Sequence, residues 1–189
     1  MTRMKMLWSS VVLFTVIVAK VLAEREIDCK KPPVSVDPDF CCKTPIFFED
    51  NLVLECEKSL GLNDTMMYTD LPDDVCVSEC LMNKTGININ GALNKNMLQL
   101  KLLEKISNGW WTTMIPQFID YCVDAAEEQN DLQVINSTTT VKSTCKQNSL
   151  FIIDCIYLKL FGNCPEDIWK DNHRCRHLRD YIIKCTNLD

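Results

Sequence analysis

"CVSECLMNKTG", Cys76 to Gly86, places two cysteines four residues apart beside Leu81 and Met82 and then stops at a glycine. On a helix, residues four apart share a face and their Cα–Cβ bonds run parallel. Cys76 and Cys80 are therefore badly placed to bond to each other, and each reaches outward to a different partner. A zinc site needs two more thiols or imidazoles at suitable spacing, and a redox pair usually has only two residues between its cysteines. The stretch reads as a helix stapled at two points.

The chain begins with Met1, Arg3 and Lys5, continues through the apolar run "LWSSVVLFTVIVA" from Leu7 to Ala19, and reaches the small residue Ala23 after "KVL". That layout is a secretory signal peptide over residues 1–23, with cleavage expected after Ala23. Its apolar core is shorter than the roughly 20 residues a membrane span requires, and no membrane insertion of residues 24–189 is expected. All 12 cysteines lie in that remainder: Cys29, Cys41, Cys42, Cys56, Cys76, Cys80, Cys122, Cys145, Cys155, Cys164, Cys175 and Cys185. An even count in a secreted, extracellular chain predicts disulfides throughout. Asn63, Asn83 and Asn136 each open a glycosylation sequon. Loss of Arg3, Lys5 and Lys20 with the signal takes the formal net charge from −6 to −9. That charge disfavours nucleic acid and anionic membranes, which leaves neutral molecules or other proteins as partners.

Residues 24–189 read as one domain. An arm over 24–45 is broken by Pro32, Pro33, Pro38 and Pro45. Adjacent Cys41 and Cys42 bond to each other only through a strained ring, so each takes its own partner. Helical signals then follow one another: Ile46–Leu60 ending at Gly61, Pro72–Lys84 ending before Gly86, and Ala92–Ser107 with Leu93, Met97, Leu100 and Leu103 on one stripe. The next helix is expected to start at Pro116 and to fade in "EEQN", with a loop over residues 130–144. A helix from Cys145 or Lys146 to Phe161, a short helix after Pro165 and another ending at Cys185 complete the chain. Strands have little to claim. The fold class is all-α, with a helical core over 46–164 and a C-terminal extension over 165–189.

The cysteine order carries a resemblance. "CVSEC", then Cys122, then Cys155-type spacing with eight residues before Cys164, resembles the insect odorant-binding proteins. The further run Cys145-x9-Cys155-x8-Cys164, with Pro165 next and Cys175 beyond, resembles the enlarged Plus-C branch. The agreement spans Cys56 to Cys175. It implies a disulfide-cross-linked bundle of six or more helices around an apolar cavity, carrying odorants or other small hydrophobic molecules through sensillar fluid. It also implies the pairs Cys56 with Cys80, Cys76 with Cys155, and Cys122 with Cys164, and leaves the other six cysteines with 15 possible pairings.

Candidates for the cavity wall are Met66, Met67, Met97, Leu98, Leu102, Trp110, Trp111, Met114, Phe118 and Phe151, since thioethers adapt to varied apolar shapes and aromatic rings offer large apolar faces. His173 and His177 are four apart and fall short of a metal site by themselves, so neither a metal nor a cofactor is expected. There is no G-x-S-x-G elbow, no H-E-x-x-H and no phosphate-binding glycine loop, and an enzyme is not expected. The competing reading is a secreted interaction module, a signalling ligand or inhibitor with a filled core. A homodimer fits either reading.

Overall fold

The computed structural model describes residues 27–31, 33, 35–62, 71–89, 91–107, 109–136 and 145–186. The expected signal segment, the sequon at Asn63 and the candidates Met66 and Met67 lie outside them. Among the described residues the elements are α1 (Pro38–Cys41), α2 (Asp50–Ser59), α3 (Leu71–Lys84), β1 (Asn88–Ile89), β2 (Ala92–Leu93), α4 (Lys95–Lys105), α5 (Gly109–Asn136), α6 (Asn148–Gly162) and α7 (His173–Cys185). The protein is all-α apart from one small hairpin.

Several boundaries follow from local chemistry. Gly61 and Gly86, at φ 75° and 74°, turn the chain out of α2 and α3 in a conformation glycine adopts without a Cβ penalty. The Asn94 side chain accepts from Met97 N at 3.0 Å and caps α4. Asn172 does the same for α7 through Arg174 N and Cys175 N.

The expected elements need four corrections. The helix expected over Ile46–Leu60 starts only at Asp50, because Pro45 to Phe48 form an irregular strap. Ala92 and Leu93 belong to the hairpin, in register Asn88 with Leu93 and Ile89 with Ala92, so α4 begins at Lys95. Pro116 lies inside α5 and does not begin it, and α5 runs on through Asn136 where a loop was expected. The missing amide at Pro116 removes one helical hydrogen bond, but Trp111 and Ile115 upstream of it are buried at 3% and 0% exposure. Their burial outweighs that local loss. After Pro165 the chain forms hydrogen-bonded turns, with Ile168 N and Trp169 N both donating to Pro165 O, and no helix.

The core is built where α5 packs along α6, the most extensive contact of the fold, with α4 against α5 and α3 against α6. Ile115, Phe118, Ile119 and Val123 of α5 meet Ile152, Ile156 and Leu160 of α6. Trp111 Nε1 donates to Leu160 O at 3.2 Å, which satisfies the one polar atom this ring brings inside.

Six bridges tie this core: Cys29–Cys185, Cys41–Cys175, Cys42–Cys164, Cys56–Cys80, Cys76–Cys145 and Cys122–Cys155. Cys56–Cys80 is the pair the resemblance implied, and Cys41 and Cys42 do take different partners. Cys76–Cys155 and Cys122–Cys164 are corrected. Cys155 lies midway along α6 on the face turned to α5, so its neighbour is Cys122. Cys145, just before α6, faces α3 and Cys76. Cys164, just beyond α6, is left for Cys42. Arm and C-terminal extension are further joined by Lys170 N donating to Cys41 O at 2.9 Å and Tyr181 OH donating to Cys29 O at 3.4 Å. Tyr157 OH of α6 donates to Asp39 Oδ1 at 3.3 Å, and burial, with the carboxylates of Asp39 and Asp37 nearby, raises its phenol above the ordinary range.

Trypsin reads the corrected pairing directly. Cleavage after Lys142, Lys146 and Lys159 puts Cys145 in the peptide 143–146 and Cys155 in 147–159. Without reduction, 143–146 should travel with the peptide 59–84 that holds Cys76 and Cys80, and 147–159 with the Cys122 peptide 106–142. A mass spectrum showing 147–159 joined to 59–84 would restore the pairing implied by resemblance.

Candidate functional site

Where α3 ends, α4 and α6 approach each other beneath the strap, and a small apolar cavity of about 20 Å3 remains. Leu98, Lys101 and Leu102 share one face of α4, since residues three and four apart project together. Ile153 and Ile156 face them from α6, and Ile87 closes the side just after α3. Phe47 and Phe48 of the strap form the roof, each half-buried. Thr85 is the remaining lining residue.

The strap has no helical ladder to hold it. It is fixed at one end by Cys42–Cys164 and at the other by the start of α2, where the Glu49 carboxylate pairs with Lys105 of α4. Both members of that pair are more than a third exposed, so it adds little stability. The roof therefore rests on the apolar contacts of Phe47 and Phe48 with the core.

At roughly 24 cal/mol per Å3, a void this small costs only about 0.5 kcal/mol. A void of this size is smaller than a molecule of several carbons.

The sequence-derived candidates divide clearly. Leu98 and Leu102 line this cavity. Trp111 and Phe118 are core residues, and Met97, Met114 and Phe151 pack against the core from its margin. Trp110 is 54% exposed. Phe47, Phe48, Ile87, Ile153 and Ile156 also line it and are not among the sequence-derived candidates. The helix expected over Ile46–Leu60 puts the two phenylalanines inside it, and aliphatic residues at helical period carry no sign of which one borders a void. Of the sequons, Asn83 is exposed in the last turn of α3 and Asn136 ends α5. His173 is exposed and His177 half-buried on α7, and among the described residues no group of three histidines, cysteines or acids is placed to hold a metal ion.

Two larger depressions open to solvent. One, of about 640 Å3, has Met82, Val123, Ala126 and Ile152 at its floor and Asn88, Lys146 and Ser149 on its walls, with Asn88 Nδ2 donating to Ser149 Oγ at 3.1 Å. The other, of about 760 Å3, lies on the far side of the strap between Ile46, Lys105, Trp111 and Ile168. Both mix charged and apolar walls, whereas the cavity under Phe47 and Phe48 is almost wholly apolar. No helix among the described residues is long and apolar enough to cross a membrane.

Comparison with known proteins agrees with this architecture. Residues 45–181 match the family model described as AgamOBP47-like. The chain is 28% identical to odorant-binding protein 47 of Anopheles gambiae over 84% of its own length and 73% of that protein's. It is 22% identical to general odorant-binding protein 67 of the same mosquito, over 79% and 74%. The matched segment takes in the strap, the cavity and three whole bridges, Cys56–Cys80, Cys76–Cys145 and Cys122–Cys155, and the twelve cysteines fit the Plus-C pattern. The chain belongs to the AgamOBP47-like family of insect odorant-binding proteins.

Proposed function

We propose that this protein is a secreted carrier that takes up small hydrophobic, odorant-like molecules in an internal apolar cavity and moves them through extracellular fluid. The observation that carries the reading is the cavity beneath Phe47 and Phe48, apolar on nearly every side and roofed by a non-helical strap. Ligand sites of this class are concave, mainly apolar and supplied with few polar groups, and at roughly 300 to 1,000 Å3 they are far larger than this void, so uptake requires the roof to lift. Family membership supports it, as do the names of the two mosquito relatives. The signal-like residues 1–23 and the fully bridged cysteines support secretion into an oxidising compartment.

In this reading the cavity is closed at rest. A ligand displaces the phenylalanine roof and exchanges its own apolar surface for the ring contacts it breaks. Buried apolar area contributes about 25 cal/mol per Å2, so affinity should rise with chain length until the space beneath the strap is filled.

The test is titration of the oxidised chain lacking residues 1–23 with an apolar fluorescent probe, followed by displacement with alcohols, aldehydes, esters and fatty acids of graded length. Saturable binding at about micromolar concentration, with a length optimum among competitors, is expected. No uptake at either neutral or mildly acid pH would turn the assignment to the secreted interaction module with a filled core.

A further inference from the structure

Nine side chains line the cavity, and only Thr85 and Lys101 among them carry polar atoms. Their hydrogen-bonding capacity differs. Thr85 Oγ1 lies 2.7 Å from Leu81 O and 3.2 Å from Met82 O, so its single proton is committed to the carbonyls ending α3. Lys101 has three protons. Its Nζ donates to Glu104 Oε2 at 3.1 Å, one turn along α4, and both side chains are well exposed. An ion pair of that kind is worth little in water and exchanges readily. Meanwhile the Lys101 stem lies beside Leu98 and Leu102 on the cavity face, which leaves the ammonium at the rim.

We infer that this site, if it carries ligands as proposed above, selects apolar molecules that end in a hydrogen-bond acceptor, with a carboxylate favoured over an alcohol of the same length. The tail lies among Leu98, Leu102, Ile153 and Ile156. The head meets Lys101 Nζ at the rim, in place of Glu104. A charge-assisted hydrogen bond is stronger than a neutral one, and a carboxylate offers it two oxygens. The acidic surface opposes an anion at long range, but that repulsion is screened beyond about 8 Å at physiological salt, and the local contact prevails. A neutral ester or aldehyde keeps the hydrogen bond and loses the charge, so it falls between the two.

The experiment compares octanoate, 1-octanol and an apolar fluorescent probe on three proteins: wild type, Lys101→Met and Glu104→Gln. Methionine keeps an unbranched stem against Leu98 and Leu102 while removing the charge. Wild type should bind octanoate about fivefold more tightly than octanol. Lys101→Met should abolish that preference. Glu104→Gln, which frees the ammonium without touching the cavity, should strengthen octanoate alone by roughly two- to threefold. If the probe binds all three proteins and the octanoate preference is absent from wild type or survives in Lys101→Met, the head-group assignment is overturned while the carrier reading stands. If no protein takes up the probe, both are overturned.

Discussion

Replacing Ile156 by alanine is expected to lower stability by about 3 kcal/mol and to enlarge the cavity beneath the strap at the same time. Ile156 is 1% exposed and borders the cavity, and truncating a buried aliphatic side chain forfeits both transfer energy and packing. For a chain of this size the loss corresponds to a fall in Tm of roughly 6 to 12 °C. A bound ligand stabilises the folded state by about 2.7 kcal/mol at a hundred times its dissociation constant. A six-carbon alcohol should therefore raise the Tm of Ile156→Ala by several degrees more than that of wild type, since the variant offers it more room. Phe161→Ala is the control. Phe161 is also 1% exposed, but it packs edge-on against Trp169 with ring centroids 5.8 Å apart and does not line the cavity. Its loss should be about 3 to 5 kcal/mol, with a ligand-induced shift no larger than wild type's. Equal shifts in all three proteins would move the ligand out from beneath the strap and into one of the open depressions.

The second large effect concerns Cys122–Cys155. This bridge joins α5 to α6 at the centre of the core, and both cysteines are buried. With a sequence separation of 33, the loop it closes corresponds to about 4 kcal/mol of unfolded-chain entropy. Changing both residues to alanine should reduce Tm by roughly 10 °C, measured by circular dichroism without reductant. The same exchange at Cys29 and Cys185 should cost only about 3 °C. Those residues join the outer end of the arm to the end of α7, and with Cys41–Cys175 intact their release frees only the segments beyond it, a local opening. A larger fall at the outer bridge than at the central one would mean that arm and body unfold as a single unit.

How far the sequence revealed this structure depended on whether the deciding signal was local. α6 and α7 were legible because their apolar period acts within a few turns. The stapled reading of Cys76 and Cys80 held for the same reason: one helical turn fixes two divergent partners. Across the chain, the interlocked scheme of first with third, second with fifth and fourth with sixth cysteine also holds, but along Cys56, Cys76, Cys80, Cys122, Cys145 and Cys155. The family resemblance implies Cys155 and Cys164 for its last two positions, each one cysteine too late. Cys145-x9-Cys155 and Cys155-x8-Cys164 are nearly equal spacings, and only the packing of α6 on α5 tells them apart. Pro116 misled because a local breaker is outweighed by burial of Trp111 and Ile115. The hairpin had an available cue in Asn90-Gly91, two residues favoured in tight two-residue turns. The cavity was half-visible: Leu98 and Leu102 are candidates from the expected Ala92–Ser107 helix, beside the stripe that includes the exposed Leu100, but its roof depends on Phe47 and Phe48 leaving the helix that their apolar character suggests.

The ladder of Cys42–Cys164, Cys41–Cys175 and Cys29–Cys185 is nested, inner rung to outer, and it sets a problem of timing during synthesis. A chain emerges amino end first, at about 5 to 20 residues per second. Cys56 meets Cys80 soon after both appear, whereas Cys29, Cys41 and Cys42 are made first and their partners last. For most of translation three early thiols have no native partner within reach, while Cys56, Cys76 and Cys80 pass close by. Bonds formed then must be undone by thiol–disulfide exchange before the last rungs can close. The cysteines that complete the clasp, Cys164, Cys175 and Cys185, are the last to be made, after every cysteine of the body.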